Sequence, residues 1–188
     1  MVRKILVIRF SSIGDIVLTS PVVRVLKNQL GAEVHFLTKS SFFSIVKDNP
    51  HIEKVLVLED SLQTLRKNIR CEDYDYVLDL HNNLRSRMVT LGMGLRLFRL
   101  NKLNFQKWIM VNFKLNILPK KHIVERYLET GKTLGLMDDG GGLDFYFSRK
   151  DNREIPFVAV VLGAAHFTKR FPPEKIVGIC RLIKSHII

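Results

Sequence analysis

The chain has 188 residues, 46% of them hydrophobic and 26% charged, which is enough apolar content to bury a core and excludes a disordered chain. No stretch approaches the run of about 20 apolar residues that a membrane-crossing helix needs; the best candidate, residues 157–165, stops at His166. A net charge of +12 admits nucleic acid, an anionic membrane surface or a phosphorylated substrate as partner, and basic residues that are scattered, with a concentration from Arg85 to Lys121, do not choose among them.

In chain order, residues 4–10 form a nearly continuous apolar run, the pattern of a strand buried on both faces, and residues 33–38, 54–58 and 74–80 repeat it. The polar Ser11, Ser12 and Asp15 follow the first run where a secretory leader would carry a small-residue cleavage site, so the run reads as a first strand. Helical spacing fills the intervals. Ser20 and Pro21 open a helix whose Val22, Val25, Leu26 and Leu30 share a face, and Gly31 stops it. Further helices are expected over residues 41–48, 61–70, 84–93, 105–113 and 122–134. Strands alternating with helices imply parallel pairing through right-handed crossovers, hence an α/β open parallel sheet with helices on both faces.

The run Asp138-Asp139-Gly140-Gly141-Gly142 cannot sit inside a helix, and a polar stretch ending at Pro156 follows it. The expected division is a first domain at 1–147, a linker at 148–156, and at 157–188 the beginning of a second domain. That second part offers one strand, residues 157–162, and one helix, residues 172–184. Such a pair cannot bury its own apolar faces, so a truncated domain is expected. Cys71 and Cys180 lie far apart with no metal-ligand spacing, which fits free thiols in a cytoplasmic protein.

The loop after the first strand, Phe10-Ser11-Ser12-Ile13-Gly14-Asp15, is the most informative segment. In open α/β sheets ligands bind outside the carboxyl ends of strands, where helix starts present unpaired N–H groups. Gly14 permits close approach, and an aspartate at a helix start is held ionised and available as a base. On spacing alone, helix capping is the preferred reading of Ser12 and Asp15, since it is the commoner use of such residues. The loop lacks the G-x-G-x-x-G of a dinucleotide-binding turn, which argues against a dehydrogenase.

Residues 5–21, ILVIRFSSIGDIVLTSP, closely resemble the opening of the bacterial heptosyltransferases of glycosyltransferase family 9. The resemblance implies a GT-B arrangement of two Rossmann-like domains around a cleft, with Asp15 as the general base and Ser11, Ser12 and Gly14 shaping the acceptor side. Residues 75–86, DYVLDLHNNLRS, are similar to the family's second loop and imply acceptor contacts from His81, Asn82 and Arg85. For Asp79 a buried polar pairing with His81 is the preferred reading. His122, Glu125 and Arg126 look like the family's H-x-x-E-R helix start, and both an acceptor contact by His122 and a surface ion pair stand open there. Residues 161–172, VLGAAHFTKRFP, resemble the donor-side loop and imply that Gly163, Ala164 and Lys169 face the donor diphosphate; Phe171 stands where many relatives have Trp. The family's later D-x-G-x-x-H-type segment is absent from the sequence.

Inverting transfer of heptose or a related sugar from an ADP-sugar to a lipopolysaccharide core acceptor is thus implied, with no metal or other cofactor, no nucleic-acid partner, and peripheral contact with the inner membrane surface. A non-catalytic α/β binding module is the rival reading. A nucleic-acid-binding domain fits the charge, but the sequence has no helix-turn-helix and no aromatic-plus-basic motif of the single-strand binders.

Overall fold

The computed structural model describes residues 3–58, 61–147, 157–158, 160, 167, 170–183 and 186–187. The chain divides into two compact units, Met1–Ser148 and Arg149–Ile188.

The first unit is built on five strands, β1 (Lys4–Ile8), β2 (Glu33–Lys39), β3 (Lys54–Leu58), β4 (Tyr76–Asp79) and β5 (Arg96–Arg99), in the order β3-β2-β1-β4-β5. Every pairing is parallel; Ile5 of β1 stands opposite Val34 on one side and Tyr76 on the other. The central strand explains the unbroken apolar run of the sequence. Its Ile5 and Val7 enter one core with Val22, Val25, Leu26, Tyr127 and Leu128, while its Leu6 and Ile8 enter the other with Leu65, Ile69 and Val89. A strand covered on both faces has no side on which to place polar residues.

Helices α1 (Ile13–Val17), α2 (Ser20–Leu30), α3 (Phe43–Val46), α4 (Leu62–Cys71), α5 (Leu84–Thr90), α6 (Asn104–Phe113) and α7 (Ile123–Thr130) fill the connections. Residues of α2 and α7 cover one face and residues of α4 and α5 the other. Strand order reverses at β1: the chain steps outward to β2 and β3, then returns to place β4 on the opposite side. The loops after β1 and β4 therefore part at the carboxyl edge and leave a crevice, the position where this Rossmann-like topology binds ligands.

Several boundaries differ from the sequence expectations. Strand β5 was not anticipated; it is a four-residue edge strand with an arginine at each end, too short to show a period. The helix expected to reach residue 93 ends at Thr90, because Gly92 (φ 66°) and Gly94 (φ 67°) take left-handed conformations that turn the chain into β5. The helix expected over 122–134 breaks at Gly131 and finishes as a 3₁₀ turn, Lys132–Leu134. Ser20 was the expected cap of α2, but Thr19 holds that position and Ser20 lies in the first turn, where its hydroxyl accepts from the Asp144 N–H.

After α7 the chain returns across α2. Arg24, whose side chain is only 10% exposed, makes a two-pronged ion pair with Asp139, a second with Asp144, and a 3.0 Å hydrogen bond to the Gly142 carbonyl. These bonds fix the glycine-rich run that the sequence marked only as a breaker.

The second unit contains β6 (Phe157–Val158), α8 (Pro173–Leu182) and β7 (His186–Ile187), with β6 and β7 paired in parallel. Strand β7 adds a partner that the sequence did not predict. Val177, Ile179 and Leu182 of α8 are exposed. Among the described residues no helix is long and apolar enough to cross a membrane.

Candidate functional site

The loops after β1 and β4 build the site around one cation that sequence reasoning missed. Arg9, at the end of β1 and 11% exposed, donates from Nε to the Ser11 carbonyl (2.7 Å) and from Nη1 to the Leu80 carbonyl (2.8 Å). Its Nη2 lies 2.5 Å from Asp15 Oδ2, and the guanidinium sits 5.8 Å from the centre of the Tyr127 ring on α7. One arginine thus ties the ends of two neighbouring strands to the first turn of α1, using the fork geometry that lysine lacks. The one sequence signal was an arginine inside an otherwise apolar strand-like run.

Asp15 accepts three bonds on a single oxygen. Oδ2 receives the Ser12 N–H (3.2 Å), the Ser12 hydroxyl (3.1 Å) and the Arg9 guanidinium. No donor among the described residues reaches Oδ1, and the side chain is 38% exposed. Partial burial works against its charge, but the Ser12 N–H and Arg9 outweigh that and hold the carboxyl below its ordinary pKa. Capping and base chemistry are therefore compatible: Oδ2 caps the helix and Oδ1 stays open to accept a proton. Gly14, one residue earlier, is exposed, and a methyl group added there would meet nothing within 4 Å. Neither backbone strain nor crowding requires glycine at that position.

On the neighbouring loop, Asp79 is fully buried and organises the turn. Its Oδ1 accepts from the N–H groups of His81 (3.1 Å) and Asn82 (2.7 Å), and its Oδ2 from the Ser86 hydroxyl (2.7 Å). The pairing expected between Asp79 and His81 thus uses the His81 backbone rather than its ring. The ring packs 5.1 Å from Phe10, and its Nδ1 is buried without a partner among the described residues. Burial, then the nearby Arg9, Lys102 and Lys39, lower its pKa to about 4, so it is neutral at physiological pH.

The remaining predicted residues divide. Ser11 and Ser12 sit beside Asp15, Ser11 through its carbonyl on Arg9. Asn82 is bonded at both ends of its amide within the fold, donating to the Leu100 carbonyl (2.7 Å) and accepting from Arg87 (3.0 Å). Arg85 is exposed on the first turn of α5. His122 caps α7, its Nδ1 accepting from the Val124 N–H (3.3 Å) while Glu125 accepts from the His122 N–H (3.2 Å). It lines a hollow of about 310 Å³ with Pro21, Glu125, Asp138 and Gly140, and none of the other predicted residues among those described lines it. Gly163, Ala164 and Lys169 lie outside the described residues.

A second hollow, about 270 Å³, was not foreseen. Arg99, Asn101, Lys121, Arg126 and Glu129 line it, with Lys121 and Glu129 paired. Arg126 donates to the Asn101 carbonyl, which joins the start of α7 to the loop after β5. Among the described residues no cluster of His, Cys, Asp and Glu could hold a metal ion.

No family model matches the chain. It is 26% identical, over an alignment 206 positions long, to lipopolysaccharide heptosyltransferase 1 of Campylobacter coli, covering 96% of this chain and 60% of that one. Its fold matches the heptosyltransferase WaaC of E. coli, solved with ADP, with a TM-score of 0.74 at 18% identity, covering 98% of this chain and 65% of that chain. A glycosyltransferase family 9 protein of Veillonella parvula (TM-score 0.72, 18% identity, 94% and 58% coverage) and the E. coli ADP-heptose lipopolysaccharide heptosyltransferase II (0.69, 19%, 98% and 63%) are similar in the same way. In sequence and in fold the chain is heptosyltransferase-like, and it spans about three-fifths of the length of these relatives.

Proposed function

We propose that this chain supplies the acceptor side and the general base of a glycosyltransferase that moves heptose, or a related sugar, from an ADP-sugar to a lipopolysaccharide core acceptor. The observation that carries the reading is the division of labour on Asp15: three donors fix Oδ2, and no donor among the described residues reaches Oδ1, at the point where the strand order reverses.

In this mechanism the acceptor hydroxyl approaches over Gly14 and gives its proton to Asp15 Oδ1 as its oxygen attacks the anomeric carbon. The bond from that carbon to the diphosphate breaks, ADP leaves with the electron pair, and configuration inverts. Arg9 stays paired throughout and keeps the carboxylate oriented and charged. His81, neutral and half-buried at the same edge, contacts the acceptor in this reading without competing for the proton. Arg85, and Arg99 and Arg126 in the second hollow, offer cations to the phosphates or carboxylates of such an acceptor. Charge on the departing diphosphate is met, in this reading, by Lys169 and the loop at Gly163 and Ala164 rather than by a metal. The donor side rests on sequence resemblance. The protein works at the inner face of the cytoplasmic membrane, where its acceptor is anchored.

Isothermal titration with ADP and with an ADP-sugar, followed by an assay of ADP release on adding a phosphorylated core acceptor, tests the reading. Saturable donor binding and acceptor-dependent ADP release support a transferase. Absence of both favours the non-catalytic binding module.

A further inference from the structure

Helix α6 carries no buried residue, although its sequence is largely apolar. Gln106 and Ile109, three apart, are its half-buried positions and mark the side toward the body; Trp108 and Val111, at the same spacing, are exposed. Phe105, Trp108, Val111, Phe113, Leu115 and Ile117 are each at least 50% exposed. Three of these are aromatic and already in contact, Trp108 stacking on Phe105 with ring centres 6.3 Å apart and meeting Phe113 edge-on at 5.6 Å. Soluble surfaces seldom leave so dense an apolar cluster in water.

Charge says what covers it. From Leu80 to Val124 the chain has nine basic residues and no acidic one, so this segment supplies most of the net charge of +12. Exposed Lys107, Lys114 and Lys120 lie among the apolar side chains. Aromatic and aliphatic groups interleaved with lysine, without carboxylates, fit a surface that is apolar beneath and anionic on top. A second copy of the chain would set lysine against lysine.

We infer that α6 and the residues to Ile117 form a membrane-docking element that enters the interface of an anionic phospholipid bilayer. Its placement connects it to the site. It begins four residues beyond Leu100, whose N–H donates to the Asp79 carbonyl and whose own carbonyl accepts from Asn82. Docking through α6 therefore holds the carboxyl edge of the sheet, with Asp15, beside the lipid surface. The inference rests on the proposed lipid-linked acceptor for its purpose, though not for its physics.

Trp108 is the single tryptophan among the 188 residues, so its fluorescence reports this element alone. The protein is mixed with vesicles of equimolar phosphatidylglycerol and phosphatidylcholine, and with vesicles of phosphatidylcholine only. The expected result is a blue shift and quenching by brominated acyl chains with the first and neither with the second. Replacing Lys107, Lys114 and Lys120 together by Gln lowers partitioning about a hundredfold, at roughly fivefold per charge. The pair Trp108→Ser and Val111→Ser lowers sedimentation with the vesicles at least ~10-fold. Both variants keep the wild-type circular dichroism, since the changed side chains are exposed. An emission unmoved by anionic vesicles overturns the inference, as does an emission already blue without lipid, which means that protein covers α6. Unchanged transfer to a deacylated, water-soluble acceptor, with transfer to the vesicle-borne acceptor lost in the Ser variant, supports it. If the unaltered protein transfers no sugar to either acceptor but still shows the lipid-dependent shift, the transferase reading fails and the docking element stands.

Discussion

Arg9 and Asp15 form an ion pair, Nη2 to Oδ2 at 2.5 Å, across the turn that joins β1 to α1, and the same guanidinium grips the Leu80 carbonyl at the end of β4. The proposed base is thus anchored to the neighbouring strand β4 as well as to its own helix. A shift of either strand end is passed to the carboxylate through one rigid fork.

Replacing Arg9 by Gln removes a charge that lowers the pKa of Asp15. The carboxyl then ionises at higher pH, so the acid limb of kcat/KM moves toward alkaline pH. Arg9→Lys returns the charge without the fork, so the limb moves back while kcat stays depressed. A pH–rate profile of sugar transfer by the three proteins checks this. An unmoved acid limb would show that Arg9 is structural only.

The same substitution acts on His81. Arg9 is the second cause, after burial, of the low imidazole pKa of about 4, so Arg9→Gln raises it, read by the ring resonances in an NMR titration. The sign for stability follows. The unfolded chain binds a proton near the ordinary value of 6.5 and the folded chain does not, so stability declines as pH falls from 6.5 toward 4. His81→Gln flattens that part of the stability curve.

Gly14 separates fold from function. Gly14→Ala meets no neighbour and lies within α1, so the melting temperature holds or rises, with a gain of up to about 1 kcal/mol. Acceptor KM rises, because the added methyl occupies the approach to Asp15. A variant with unchanged kinetics would move the acceptor away from this face.

Arg24 tests the strap that closes the first unit. Arg24→Met strands Asp139 and Asp144 without their cation and frees residues 139–144, at a cost of about 2–3 kcal/mol in chemical denaturation. The hydrogen bond from Arg24, despite partial burial, pulls Asp139 down to about 2 from an ordinary 3.8. That contribution is complete above about 4 and fades as pH falls toward 2, so the difference between wild type and variant narrows over that interval.

Strands β1 to β4 were legible because each sends apolar residues to both faces of the sheet and so reads as an unbroken apolar run. Strand β5 was not: it is four residues long, and the arginines at its ends leave only Leu97 and Phe98 as apolar signal. The site was legible as loops and illegible as a network. Asp15 and Gly14 stood out by motif, whereas the importance of Arg9 depends on the Leu80 carbonyl, 71 positions away in sequence. Asn82 shows the converse limit. Its residue type suited sugar hydroxyls, but its amide is also held by Leu100 and Arg87, contacts that only the fold creates.

The most direct test of the account is Asp15→Asn, assayed for sugar transfer and, separately, for ADP binding. The amide can still accept from Ser12 through its oxygen but cannot take the acceptor proton, so kcat falls about 10²–10⁴-fold while ADP affinity and the circular dichroism remain those of the wild type. Turnover within a few-fold of wild type would contradict the assignment of Asp15 as the base.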